Sequence, residues 1–414
     1  MTPLRAARII HAMLHRETRV NVLISLGHTL SHFYILVFPP LFIVWQHEFG
    51  ISFAALGLAP VVMSIMSATL QTPLGFLVDR FGARPFLIGG TLFMSLAISG
   101  MAFCTEYWQI LALATVSGIG NAVFHPADYS ILAGSISKER IGRAFALHSF
   151  TGNVGFAVAP PVVAGLMLFM GWRGALLTVG LLGLPVVAAV IWQSAILQDE
   201  VKRERTAHRL TVRQLLLDRT IVMFFMFYLL GSMAGSGVQA WLITILHQVK
   251  GIEIALASTA LTAYMIGSSV GVLFGGWATD HAKSKRHLST FVAALTSISA
   301  LTTLLVGVTP VSGLVAIGMM FCSGLCLGGS RTPRDVMLKD AAPPGEIGKV
   351  FGFVSASLGL GSALVPVPFG YLIDHGHPDM VLILAACLMV ASLFFMGSAR
   401  ASFRHRQAAT APAE

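Results

Sequence analysis

Residues 120–130 read GNAVFHPADYS, a histidine and an aspartate three apart in an otherwise apolar stretch, with a proline between them. Imidazole is the side chain whose charge can change near neutral pH, and both it and a carboxylate respond strongly to burial and to nearby charge. Asn121, His125 and Asp128 follow steps of four and three, so a helix places them on one face. Pro126 weakens the local hydrogen-bond ladder beside that face. Asn21, Ser25, His28 and His32 repeat the device at steps of 4, 3 and 4. They give a polar stripe about 16 Å long at 1.5 Å per residue. Ser232, Ser236 and Gln239 form a third set, and Arg331, Arg334 and Asp335 a fourth.

Three readings of His125 and Asp128 fit this pattern. The pair can load and release a proton. Alternatively, the histidine is neutral and bonded to a helix carbonyl, with Asp128 clamped structurally to Arg331 or Arg143. The third reading is direct substrate contact. His28 and His32 read as cavity lining with a role in substrate contact. Arg331 offers a planar fork for an anionic group, or a partner for Asp128.

The elements that must carry these residues follow from composition. Of 414 residues, 55% are hydrophobic and 11% charged, where soluble domains carry about 25% charged. Apolar runs of about 20 residues recur, each long enough to cross a bilayer as a helix. Twelve spans are expected, at 20–45, 53–78, 86–104, 108–136, 144–170, 175–197, 220–246, 256–279, 288–308, 311–336, 350–373 and 380–399. Backbone in lipid must satisfy its own hydrogen bonds, so an all-α membrane protein is expected rather than a barrel. A charge at the bilayer centre costs roughly 2.5–3.5 kcal/mol on insertion scales. Ionisable residues inside spans therefore mark candidate sites.

With the N-terminus inside, 25 of the 27 lysines and arginines fall on the cytoplasmic face; Arg173 and Lys250 are the two outside. This bias accounts for the net charge of +9 as the lining of an anionic leaflet rather than a nucleic-acid surface. The first twenty residues show no apolar core with a cleavage site, so the first span reads as an uncleaved anchor. The expected location is the inner membrane, multi-pass, with both termini cytoplasmic. Cys104, Cys322, Cys326 and Cys387 lie in or at the ends of spans at packing spacings, not redox or zinc spacings.

The polar stretch 198–219 divides the chain into halves, 20–197 and 220–399, between tails 1–19 and 400–414. GFLVDRFGAR (75–84) returns as GWATDHAKSKR (276–286). RIGRAFALHSFTGNVGFAVAPPVVAG (140–165) returns as EIGKVFGFVSASLGLGSALVPVPFGY (346–371), and HPAD answers TPRD. Gly155 pairs with Gly361, Pro160 with Pro366, Pro126 with Pro333 and Asp128 with Asp335. Two pseudo-symmetric six-helix bundles are a transporter plan, with a substrate site near the midplane.

These residues resemble the major facilitator superfamily over essentially the whole chain. Gly75, Asp79, Arg80, Gly82 and Arg84 match its loop signature between spans 2 and 3. The resemblance implies an inner gate: Asp79 and Arg80 close to the start of span 11 near Lys349, with Asp280 repeating the device less fully. GNVGFAVAPPVVAG resembles the Gly/Pro motif of the superfamily's antiporters, with Ala159-Pro160 where that motif has Gly-Pro. VFHPAD and LGHTLSHFY resemble the fosmidomycin-resistance branch of drug exporters. Ala127 and His32 stand where that branch often has acids.

GSSVG (267–271) matches the hydrolase pattern G-x-S-x-G, but that pattern has meaning only at a strand-to-helix elbow and here lies mid-span. The sequence has no phosphate-cradling G-x-x-x-x-G-K-[ST] and no H-E-x-x-H. The expectation is therefore not an enzyme and carries no cofactor or metal. It is a secondary active transporter, functional as a monomer, moving a small anionic organic solute by proton-coupled efflux. Proton-coupled import of a small carboxylate and a non-transporting membrane sensor are the alternatives.

Overall fold

The computed structural model describes residues 3–137, 140–198, 218–281, 285–342 and 347–410. At 3–15, 79, 141–143, 146, 280, 285–287, 347–349, 351–352 and 397–410 it describes the backbone alone. The linker expected at 198–219 falls almost wholly outside the described residues. Those described contain helices and no strands.

Among the described residues, eleven helical stretches are long and apolar enough to span a membrane. One of them, Leu147–Trp192, is two spans in a single entity, since 46 residues exceed one crossing. The continuous helix Ile141–Leu181 turns at Gly171, which has φ 67° and ψ 178°. That left-handed backbone suits glycine, and it separates span 5 from span 6 within the gap expected between them. The twelve-helix arrangement is thereby accounted for.

Several edges differ from the expectation, and proline explains most of them. Span 1 was expected at 20–45, but its helix runs Pro3–Ile35, and Phe42–Phe49 is a separate short helix. Pro39 and Pro40 lack the amide hydrogens that would carry the helix across the gap. Span 4 is broken into Tyr107–Asn121 and Phe124–Ser135, and span 10 into Gly313–Gly329 and Arg331–Ala341. The breaks are repeats of one device. Pro126 and Pro333 are each the third residue of the second helix, and each ring excludes the carbonyl four residues back, at Ala122 and Gly329. Span 11 breaks at Val365 ahead of Pro366, giving Ile347–Leu364 and Pro366–Asp374. Its counterpart in span 5 keeps Pro160 and Pro161 inside an unbroken helix.

By contact the chain forms two compact units, 1–41 with 62–204 and 42–61 with 205–414. In the first, span 1 packs on span 5, and span 3 (Ala83–Met101) on spans 4 and 6. Gly155 sets the first approach: a Cβ there would meet the Thr29 carbonyl and the Phe33 nitrogen. Tyr34 donates to the carbonyls of Val179 and Gly180 at 3.1 and 2.9 Å, which ties span 1 to span 6.

In the second unit, span 7 (Arg219–Gln248) packs on span 11, and span 8 (Ile254–Asp280) on span 10. Gly361 plays the part of Gly155, facing the Leu229 carbonyl and the Met233 nitrogen. The hydrolase-like GSSVG is a packing face, because a Cβ on Gly267 or Gly271 would meet the carbonyl of Phe321 or Leu325. Ser269 donates to Met265 in its own helix at 2.9 Å.

Candidate functional site

Four imidazoles and one carboxylate converge inside the first unit. Span 1 supplies His28 and His32, the second helix of span 4 supplies His125 and Asp128, and span 5 supplies His148. The break at Ala122–Val123 starts a new helix whose first turns aim His125 and Asp128 at span 1. Asp128 is fully buried, and His28 and His148 are 2% and 1% exposed.

The carboxylate's near partners come from other helices. Asp128 Oδ2 is 3.4 Å from His28 Nδ1 and 3.8 Å from His148 Nδ1. Neither contact has hydrogen-bond geometry, and both Asp128 oxygens are buried without a hydrogen-bond partner among the described residues. The same holds for Nδ1 of His28, His32, His125 and His148, and for Nε2 of His148. The His28 ring stacks on His148 with centroids 3.6 Å apart, and lies 4.3 Å from His32 and 5.3 Å from His125. Buried polar groups normally have partners. Here unmatched donors and acceptors concentrate at one point, which makes it the candidate site.

Gly152 makes room for this cluster. A Cβ there would lie 2.7 Å from His28 Nε2 and 2.9 Å from His32 Cε1. His148 is the member that sequence reading missed. The signal was present: residues 148, 152 and 155 follow helical spacing on the face of span 5 that Gly152 and Gly155 turn toward span 1.

The span 1 stripe leads to the cluster. Asn21 lines a cavity of about 200 Å³ with Thr18, Val22, Arg140, Ala144 and Leu147. Asn21 Oδ1 and Ser25 Oγ continue inward, both buried without a hydrogen-bond partner among the described residues. At the mouth, Arg140 and Glu17 form an ion pair at 2.8 Å.

Asn121 is held differently from His125 and Asp128. It accepts from Ser67 at 2.7 Å and donates to the Ser31 carbonyl at 3.4 Å, so it joins spans 2, 4 and 1. The side chain of Arg143, one expected partner of Asp128, lies outside the described residues.

In the second unit, Gln239 sits half-buried in span 7, and Arg331 opens the second helix of span 10. Of the loop signature, Gly75 lies against Pro126. Gly82 has φ 87° and its amide closes the end of span 2 on the Val78 carbonyl at 2.9 Å, a helix end that favours glycine. Arg80 stands over the Phe81 ring, 5.1 Å from its centroid, and Arg84 is in the first turn of span 3. The side chains of Asp79, Asp280 and Lys349, on which the expected inner gate turns, lie outside the described residues.

Twelve helices in two repeats of one plan, with ionisable side chains kept inside the apolar region, define a membrane transport protein. The chain belongs to the Major Facilitator Superfamily, whose sequence model matches residues 24–259 and 243–413. It is similar to the probable L-galactonate transporter of Escherichia coli K12, with 28% identity over 387 residues, 84% of this chain and 81% of that one. It is also similar to the fosmidomycin resistance protein of the same organism, with 24% identity, 88% of this chain and 89% of that one. Among solved structures, a bacterial homologue of the human lysosomal transporter Spinster in an inward-facing, occupied conformation aligns with a TM-score of 0.77. That alignment has 16% identity and covers 96% of this chain and 99% of the other, a likeness of fold.

Proposed function

We propose that this chain exports a small organic anion by proton antiport across the inner membrane, working as a monomer by alternating access. The observation that carries the coupling is the buried contact between Asp128 and the imidazoles of His28 and His148. An ionised carboxylate in an apolar interior is stable only when paired. A proton entering or leaving these groups therefore changes the site's net charge, and with it the stability of each transport state. A ligand shifts such an equilibrium only by its differential affinity for the states, and the proton supplies that difference.

The anionic cargo is supported by the balance of basic over acidic groups among the candidate residues, with His28, His32, His125 and Arg331 against Asp128. It is also supported by similarity to a protein named for galactonate transport. The direction rests on the Gly/Pro pattern of span 5 and on similarity to a protein named for fosmidomycin resistance. The galactonate relative favours one second reading, proton-coupled import of a carboxylate.

Reconstituted vesicles with an imposed pH gradient test the coupling: labelled anion must move against its own gradient, and collapse of the pH difference must stop it. Growth of overexpressing cells on toxic phosphonates tests direction. Export raises resistance and import lowers it. Vesicles that move no anion under any gradient would remove the reading.

A further inference from the structure

We infer that His28, His148 and Asp128, with His125 as the fourth ligand, form a binding site for one divalent transition-metal ion of the zinc class. The inference deepens the reading above, since it assigns a second ligand to the same cluster, but its evidence is the coordination geometry. Zinc bonds of about 2.0–2.1 Å to nitrogen and oxygen in a tetrahedron require donor–donor edges of about 3.4 Å. The structure supplies one such edge without a metal, Asp128 Oδ2 to His28 Nδ1 at 3.4 Å, and a longer one to His148 Nδ1 at 3.8 Å. The donor atoms of His28, His125 and His148 all lie within 4.8 Å of one another. His125, whose ring is only half-buried, is the member that must move to complete the set.

The donor chemistry selects the class of ion. Imidazole suits zinc, cobalt, nickel and copper, while magnesium and calcium require a shell of oxygen ligands and this cluster offers a single carboxylate. One carboxylate against a divalent ion leaves a net charge of one, less than the bare ion would bring into the apolar interior. The required donor atoms are free, because Nδ1 of His28, His125 and His148 and both Asp128 oxygens have no hydrogen-bond partner among the described residues. Asn21 and Ser25 form a polar stripe on span 1 between the cavity beside Arg140 and His28. The three contributing helices belong to one compact unit, so the ligand set does not depend on how the two units are arranged.

The full-length protein, purified without a polyhistidine tag, is titrated with cobalt(II) as a spectroscopic stand-in for zinc. The expected result is one equivalent bound with the intense visible absorption of a tetrahedral complex, displaced by zinc and accompanied by a raised thermal midpoint. His148→Ala and Asp128→Asn should each weaken binding at least tenfold. His148→Cys keeps four ligands and should add a thiolate-to-cobalt charge-transfer band, a signature that a merely structural residue cannot produce. Exposed His281 and His375 each place Nδ1 on a carbonyl in their own helix, at 2.9 Å, and their replacement should change nothing. Octahedral absorption, a stoichiometry that follows the exposed histidines, or a His148→Cys protein that folds but shows no new band would overturn the site. Gradient-driven flux is measured separately, so an unsubstituted protein that binds no cobalt yet keeps its flux rejects this inference alone.

Discussion

Tyr228 donates a hydrogen bond to Asp335 across 2.5 Å, and the pair occupies in the second half of the chain the place that His28 and Asp128 occupy in the first. The correspondence is geometric. Gly155 faces Thr29 and Phe33, while its repeat mate Gly361 faces Leu229 and Met233, which sets His28 opposite Tyr228. HPAD and TPRD set Asp128 opposite Asp335 and Ala127 opposite Arg334. Arg334 lies 3.2 Å from the Asp335 carboxylate and 3.7 Å from the Tyr228 ring centroid. One half thus gives its acid a permanent cation and a phenol, and the other gives its acid imidazoles.

This asymmetry predicts different consequences for one chemical change. Asp335→Asn removes a fixed counter-charge and leaves Arg334 unpaired, so the expected effect is a lower thermal midpoint with flux that still follows the pH gradient. Thermal unfolding in detergent and vesicle flux at two imposed gradients measure the two effects independently. A variant of normal stability whose flux ignores the gradient would move the coupling role to Asp335.

Asp128→Asn should do the opposite. The amide keeps the shape of the carboxylate but cannot exchange a proton in the working range, so accumulation driven by the gradient should disappear. Exchange of labelled for unlabelled anion, which needs no net proton movement, should survive. His125→Ala should likewise abolish gradient-driven accumulation without unfolding the protein. If both variants concentrate substrate with the wild-type pH response, the proton is carried elsewhere.

The all-helical membrane architecture and its two repeats were legible in the sequence, because hydropathy and glycine–proline spacing record them directly. The short-range polarity of GNAVFHPADYS was legible too, but not its partners. Helical spacing pairs His125 with Asp128 on one face, whereas the carboxylate's nearest imidazoles are His28 and His148, brought from two other helices by the close approach at Gly152 and Gly155. A contact between helices depends on their packing, which no local period encodes. The same limit hid the breaks at Ala122–Val123 and Ser330. The prolines were visible, but a single apolar run conceals whether a proline bends a helix or splits it, as Pro160 and Pro366 show by doing different things at matched positions.

Close helix approach predicts a contrast between two glycines of span 5. Gly155→Ala drives a methyl into the Thr29 carbonyl and should cost about 1–3 kcal/mol, the usual range for overpacking. Gly165 has open space around its Cα. Alanine there should stabilise the helix by about 0.5–1 kcal/mol through backbone entropy alone. Denaturant or thermal midpoints of the two variants should move in opposite directions, and a common direction would remove the packing argument for span 1 on span 5.

Asp374 ends the helix Pro366–Asp374 with an acid, where the helix dipole disfavours negative charge. Its carboxylate is instead held by a different helix end. Oδ1 accepts from the Phe53 amide at 2.6 Å and Oδ2 from the Ala54 amide at 2.8 Å, while Ser52 Oγ takes the Ala55 amide at 3.1 Å. These amides open the stretch that leads into span 2, and free amides at a helix start are stabilised by such acceptors. The contact is reinforced one turn earlier by Gly370, where a Cβ would meet the Phe53 carbonyl, and by Trp241, which donates to the Pro366 carbonyl at 3.0 Å and packs on Phe42. Asparagine at 374 presents one acceptor and one donor where two acceptors are needed. Asp374→Asn should therefore lose about 0.5–2 kcal/mol, within the range of a lost helix cap. Asp374→Glu, whose longer arm keeps both acceptors, should recover part of it. A thermal midpoint unchanged in Asp374→Asn would show that the paired acceptor contact contributes nothing to holding the head of span 2.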